Sequence, residues 1–195
     1  LKNNHLPKIV EKYSGLNYSF EGVSETQKES LNFLGITYIF IMLTIWGLLA
    51  LVFRSYSQPI AVMLGVPYGI IGAIIGHLIF GVDISIISMI GLIGLSGIVI
   101  NDALVLITTI NKFVDKGDTI LQACLKGSGR RLRPILLTTV TTACGLLPMM
   151  LETSVQAKFL VPMAISIGFG IIFATLVTLV LVPCNYLIIE DIKNF

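Results

Sequence analysis

The chain has 195 residues, 55% of them hydrophobic and only 12% charged, with a formal net charge of +2 and a mean hydropathy of +0.91. Soluble globular domains carry roughly a quarter of their residues charged, so this composition excludes an ordinary water-soluble domain and points to lipid as the solvent. The small net charge, with its cations bunched between apolar runs, excludes a nucleic-acid binder.

Residues 1–33 are polar and lack the basic stretch followed by an apolar stretch that marks a secretory signal, so the chain reads as beginning in the middle of something larger. Polar and apolar positions alternate here, with Tyr13, Tyr18 and Phe20 near Gly15 and Gly22, which predicts a strand ending in a turn on the water side. About thirty residues cannot bury an independent core. Beyond them the sequence predicts an all-α membrane domain over residues 34–190. Its five spans are Ile36–Phe53, Ile60–Gly81, Ile84–Ile110, Pro134–Leu151 and Leu160–Ile188, each long enough to cross about 30 Å of hydrocarbon.

Charge between the spans sets an orientation. Lys112, Lys116, Lys126, Arg130, Arg131 and Arg133 lie between the third and fourth spans against Asp115 and Asp118, and Arg54 lies between the first and second. By the positive-inside rule these links, and the tail 191–195, are cytoplasmic, whereas the links at Gly81–Asp83 and Glu152–Lys158 and the N-terminal segment are outside. The stretch 118–133 has apolar residues at Ile120, Leu121, Cys124 and Leu125, the spacing of a short amphipathic helix on the cytoplasmic face, or of a plain positive-inside loop. Glycines recur in the second span (Gly65, Gly69, Gly72, Gly76) and the third (Gly91, Gly94, Gly97), where they let helix backbones approach closely in lipid.

Asp102, preceded by Asn101, lies inside the third span. A carboxylate near the bilayer centre costs about 2.5–3.5 kcal/mol on insertion scales, which makes it a functional candidate; the plainer reading is a hydrogen bond that locks two helices. A carboxyl balanced between desolvation and a nearby partner can take up and release a proton. Thr138, Thr139, Thr141 and Thr142 in the fourth span offer hydroxyls that relay protons or simply bond their own helix carbonyls. His77 has no clear partner in the sequence and reads as a structural or interfacial histidine near the outer end of the second span; Asp83 reads as solvated. Arg130, Arg131 and Arg133 form the inner rim, where snorkelling and lipid phosphate are the ordinary explanation. Cys124, Cys144 and Cys184 lack metal-type spacing, and no phosphate loop, nucleophile elbow or metalloprotease signature is present. No enzyme, cofactor or metal is implied.

Several blocks together resemble the resistance–nodulation–cell-division (RND) superfamily, especially its efflux pumps. They are the run Gly97 to Ala103 (Gly-Ile-Val-Ile-Asn-Asp-Ala) with Leu104–Ile107, the run Arg131 to Thr139 leading to Gly145–Pro148, Ser57–Pro59 before Val66–Pro67, and Val182–Pro183. The resemblance implies that the spans are helices eight to twelve of twelve and that residues 1–33 end a periplasmic porter region. It implies a proton relay that includes Asn101, Asp102, Thr138 and Thr139, with Arg131 at its cytoplasmic mouth. Many drug-exporting members carry a lysine where Asn101 stands, and Asn101 cannot supply that charge. The Asn101–Asp102 pair is instead similar to the paired aspartates of the family's fourth helix, in keeping with repeat symmetry in transporters.

The implied function is the C-terminal membrane portion of a proton-motive-force-driven export pump in the inner membrane. Its implied partners are lipid, the remaining half of the pump, two further copies in a homotrimer, a periplasmic adaptor and an outer-membrane channel. The alternatives are a membrane assembly module or remnant half without transport, and a protein-export auxiliary of related fold.

Overall fold

The computed structural model describes residues 23–154 and 157–193. The strand expected around Tyr13, Tyr18 and Phe20 lies outside the described residues. Among those described there are six α-helices and one 3-10 turn: α1 (Val23–Phe53), α2 (Gln58–Met63), α3 (Val66–Phe80), α4 (Ile86–Val114), α5 (Ile120–Met150), the turn Ala157–Phe159, and α6 (Val161–Lys193). They supply five segments long and apolar enough to cross a membrane, α2 and α3 together forming the second.

Three boundaries differ from the sequence reading. Residues 23–33 are helical and continuous with the first span; Glu25, Gln27, Lys28 and Glu29 are good helix formers, and no glycine or proline interrupts them. The second span is broken, because Pro67 has no N–H to offer the Met63 carbonyl and its ring crowds the preceding turn, so α2 stops at Met63 and α3 restarts with proline in its first turn. The segment 118–133 is no separate element, for α5 runs from Ile120 straight through Pro134. Ala123, Gly127, Ile135 and Thr139 lie on one buried stripe, and that packing carries the helix past the missing hydrogen bond.

Helix ends are closed by local chemistry. Ser85 caps α4 in a reciprocal box: its Oγ accepts the Ser88 N–H at 3.3 Å, and Ser88 Oγ accepts the Ser85 N–H at 3.1 Å. Thr119 Oγ1 accepts the Gln122 N–H at the start of α5. Gly81 ends α3 with φ of 62°, the left-handed conformation that favours glycine. After α5, the Glu152 carboxylate accepts the Thr153 and Ser154 N–H groups, both at 3.1 Å. The bond from Ser154 foremost holds the Glu152 carboxyl below its ordinary value.

Helix α6 is the hub against which α3, α4 and α5 pack. The approach to α3 is closest: a Cβ built on Gly72 would come within 2.8 Å of the Phe169 carbonyl oxygen, and one on Gly76 within 2.6 Å of the Phe169 ring. One cluster gathers Val62, Ala103, Leu106, Ile107, Ile110, Ala123, Ile135 and Val182 at the end where α4 finishes and α5 begins. A second, with Met150, Val161, Ala164 and Ile165, closes the opposite end. Side chains pin both ends. Asn111 donates to Gln58 Oε1 at 3.0 Å and accepts from Tyr186 Oη at 2.8 Å, tying α2, α4 and α6.

At the other end His77 is 4% exposed, with Nε2 2.9 Å from Ser88 Oγ and Nδ1 3.0 Å from the Ala73 carbonyl oxygen. This histidine does have partners. The Ala73 carbonyl can only accept, so Nδ1 carries the proton in the neutral ring and Ser88 Oγ donates to Nε2. Such a buried bond joins α3 to α4 and is structural.

Gly72→Val should cost the bundle about 1–3 kcal/mol by wedging α3 off α6, whereas Gly94→Ala, whose Cβ would meet nothing within 4 Å, should be neutral for the packing of these helices. Unfolding of the detergent-solubilised protein followed by circular dichroism checks this; equal midpoints for the two variants would refute it.

Candidate functional site

Asp102 lies two residues past residue 100, the middle of α4, and so about 3 Å from the helix midpoint. The buried face of α4 around it is apolar: Val99, Ile100, Ala103, Leu106 and Ile107 face the other helices of the bundle. The opposite face is different. Ile90, Gly94, Gly97 and Asn101 recur at spacings of four, three and four, all exposed, and a Cβ on Gly94 or Gly97 would meet nothing within 4 Å. From Gly94 to Asn101 that stripe is small or polar, and none of the other described helices covers it. Asp102 is half-buried about 100° further round the helix from Asn101, and its carboxylate makes no hydrogen bond or ion pair among the described residues.

Two contacts fix the level of α5 against α4. A Cβ on Gly127 would meet the Ile110 backbone at 3.3 Å, and Arg131 Nε donates to Thr109 Oγ1 at 2.7 Å. The helices run antiparallel, so counting from the first contact sets Asp102 opposite Ile135 and counting from the second sets it opposite Thr138. One turn of α5 covers both positions, which places the carboxylate at the depth of the turn from Ile135 to Thr138 and about 6–10 Å inward from Arg131.

The expected residues thus share a depth without all touching. Thr138 Oγ1 donates to its own helix at the Ile135 carbonyl, 2.8 Å, and Thr141 does the same toward Leu137, so for these two the self-bonded reading holds in this state. Thr139 is buried and bonded twice, to the Ile135 carbonyl at 2.9 Å and across to Thr175 Oγ1 at 2.8 Å. Asn101 and Asp102 are not joined to any threonine of α5. Thr109 and Thr175 were not singled out in the sequence, because a threonine in an apolar helix carries no sign of which neighbour it faces. Among the described residues no group of three or more His, Cys, Asp or Glu side chains could hold a metal ion.

Five apolar segments long enough to cross a membrane, most of them packed on α6, define a multi-pass membrane protein, and among the described residues the mid-depth carboxyl is unpaired. The sequence model of the AcrB/AcrD/AcrF family matches residues 3–190, and the chain belongs to that family of RND transporters. It is 31% identical over 174 residues to the swarming motility protein SwrC of Bacillus subtilis, covering 89% of this chain and 16% of SwrC. To the multidrug resistance protein MdtC of Cronobacter sakazakii it is 29% identical over 185 residues, covering 92% and 18%. A crystal structure of a heavy metal efflux pump superposes with a TM-score of 0.79 at 25% identity, over 95% of this chain and 19% of the pump. The chain therefore spans less than a fifth of the length of these relatives.

A double-mutant cycle with Thr139→Val and Thr175→Val should give a coupling of about 0.6 kcal/mol, the usual size for a hydrogen bond between membrane helices. Unfolding midpoints of the two single variants and the double variant measure it; strictly additive losses would mean that the hydroxyls do not act on each other.

Proposed function

We propose that this chain is the C-terminal membrane portion of a proton-motive-force-driven RND efflux transporter, helices eight to twelve, and that Asp102 is its proton-carrying group. One observation carries the reading: the Asp102 carboxyl is half-buried at mid-membrane depth, without a hydrogen bond or counter-charge among the described residues. An intramembrane carboxyl in that position needs a partner from outside this bundle, and the remaining half of the pump is the natural source. Protonation removes the need for that partner, so proton uptake changes how firmly α4 is held against the other half. That change of hold is the means by which a proton gradient can drive a conformational cycle.

Thr138, at the same depth, and Thr139, next to it, can hand the proton on or hold a water once the helices shift. Arg131, about 10 Å further along α5 and braced by Thr109, holds a fixed positive charge at the mouth of the path. Asn101 takes part as a neutral hydrogen-bonding neighbour on the uncovered face. The cation-rich end, with Arg54 and Arg131, is then cytoplasmic and the Glu152 end outside. Kinship alone supports the remaining assignments: the inner membrane, a homotrimer, a periplasmic adaptor and an outer-membrane channel.

The uncovered stripe also suits a second reading, a membrane assembly module that binds another half without transport. Two variants of the natural polypeptide in inverted membrane vesicles separate these readings. Asp102→Asn should abolish substrate-dependent proton flux while leaving assembly intact, and Gly97→Leu should disrupt assembly. Coupled flux unchanged in Asp102→Asn would remove Asp102 from the relay and leave the assembly role.

A further inference from the structure

A second polar feature lies where α4 ends and α5 begins. A cavity of about 580 Å³ opens there between the two helices, lined by Lys112, Lys116, Arg130 and Arg131, with Asp115 the one acid on its wall. The ion pair found among the described residues is Lys126 with Asp118, at 2.7 Å, and it uses none of these groups. Lys112, Lys116 and Arg130 are exposed and unmatched by a carboxylate there. The last carbonyls of α4 contribute about half a negative charge at this point. Four cations against one acid and that half charge leave an excess of about +2.5 around one cavity.

Depth narrows the chemistry. Lys112 is twelve residues past residue 100, the middle of α4, hence about 18 Å along the axis, while half the hydrocarbon thickness is about 15 Å. The cavity is therefore at the level of lipid headgroups. Its wall is also suited to an amphiphile: Phe113 packs partly into the core beside the cations, and Lys116 Nζ lies 5.8 Å from the centre of the Phe113 ring. Arg131, on the same wall, is braced by Thr109 through Nε, and no hydrogen bond among the described residues uses its terminal N–H groups.

We propose that this cavity binds a phosphate group, that of an anionic lipid headgroup or free phosphate, through Lys112, Lys116 and Arg130 with Arg131 behind them. Guanidinium and ammonium donors around a recess at headgroup depth are the recurring means of holding such a group. The site shares Arg131 with the proton reading, but its test varies other residues and does not use transport.

The natural polypeptide carrying this chain, purified in detergent, is titrated with phosphatidylglycerol or phosphatidylcholine and read by native mass spectrometry; labelled inorganic phosphate is tested separately by equilibrium dialysis. Phosphatidylglycerol should bind in preference to phosphatidylcholine. The triple variant Lys112→Gln, Lys116→Gln, Arg130→Gln should weaken it by about 10- to 100-fold, and Asp115→Asn should strengthen it by about fivefold, a gain that misfolding cannot imitate. A control with the same charge loss outside the cavity, Arg54→Gln, Lys126→Gln, Arg133→Gln, should change it little. If labelled phosphate binds and is lost in the cavity variant, the ligand is the free anion; if only the lipid does so, it is the headgroup. No preference for the anionic lipid together with no phosphate binding, or equal weakening by the two triple variants, would overturn the proposal.

Discussion

In hydrocarbon, apolar side chains gain nothing by leaving lipid for one another, so helices are held where small residues let their backbones meet. In this bundle that contact is α3 on α6. Gly69, Gly72 and Gly76 face Gly170, Phe169 and Phe173 so closely that a methyl group at Gly72 or Gly76 would enter occupied space. With α6 seated there, α4 and α5 are laid against its remaining sides, and the cluster around Ile107, Ile110, Ile135 and Val182 forms among the three. The helices keep Pro134, Pro148 and Pro183 because neighbours hold the chain where a hydrogen bond is missing. The depth of Asp102 follows from the same seating, since it is the level of α5 against α4 that brings the carboxyl opposite the turn from Ile135 to Thr138.

The number of spans, the all-helical class and the intramembrane carboxyl were legible in the sequence because each is written in composition: apolar runs of sufficient length, and one aspartate where charge is expensive. Partners were not. His77 reads as solitary until Ser88 is brought beside it by the turn after α3, and Thr139 has no visible counterpart until α6 places Thr175 across from it. Both contacts depend on helix rotation, which hydropathy does not encode. The continuity of α5 was hidden for a different reason. Its first half is cationic and exposed on the outside and small on the inside, so it resembles a surface segment, yet the Ala123–Gly127 face is as buried as the membrane part. At the N-terminus the helix begins at Val23, earlier than apolar content alone marks the span, because residues 23–33 are polar but form helix readily.

The exposed faces carry as much information as the buried ones. Outward-facing Leu51, Val52, Leu137 and Val140 need nothing more than lipid. The stripe through Gly94, Gly97 and Asn101 has little apolar bulk to offer lipid and a polar group to satisfy, so its composition suits another helix better than an acyl chain.

One consequence of the unbroken α5 concerns timing. The helix is a single rod of about 46 Å, and Arg131 and Thr139 lie on it within a sector about 80° wide. Arg131 engages α4 through Thr109, and Thr139 engages α6 through Thr175. Pro134 stands between the two contacts and leaves one backbone hydrogen bond of the helix unmade, so the half bearing Arg131 can turn before the half bearing Thr139 follows. The two contacts are therefore catches in series, one on each side of Pro134.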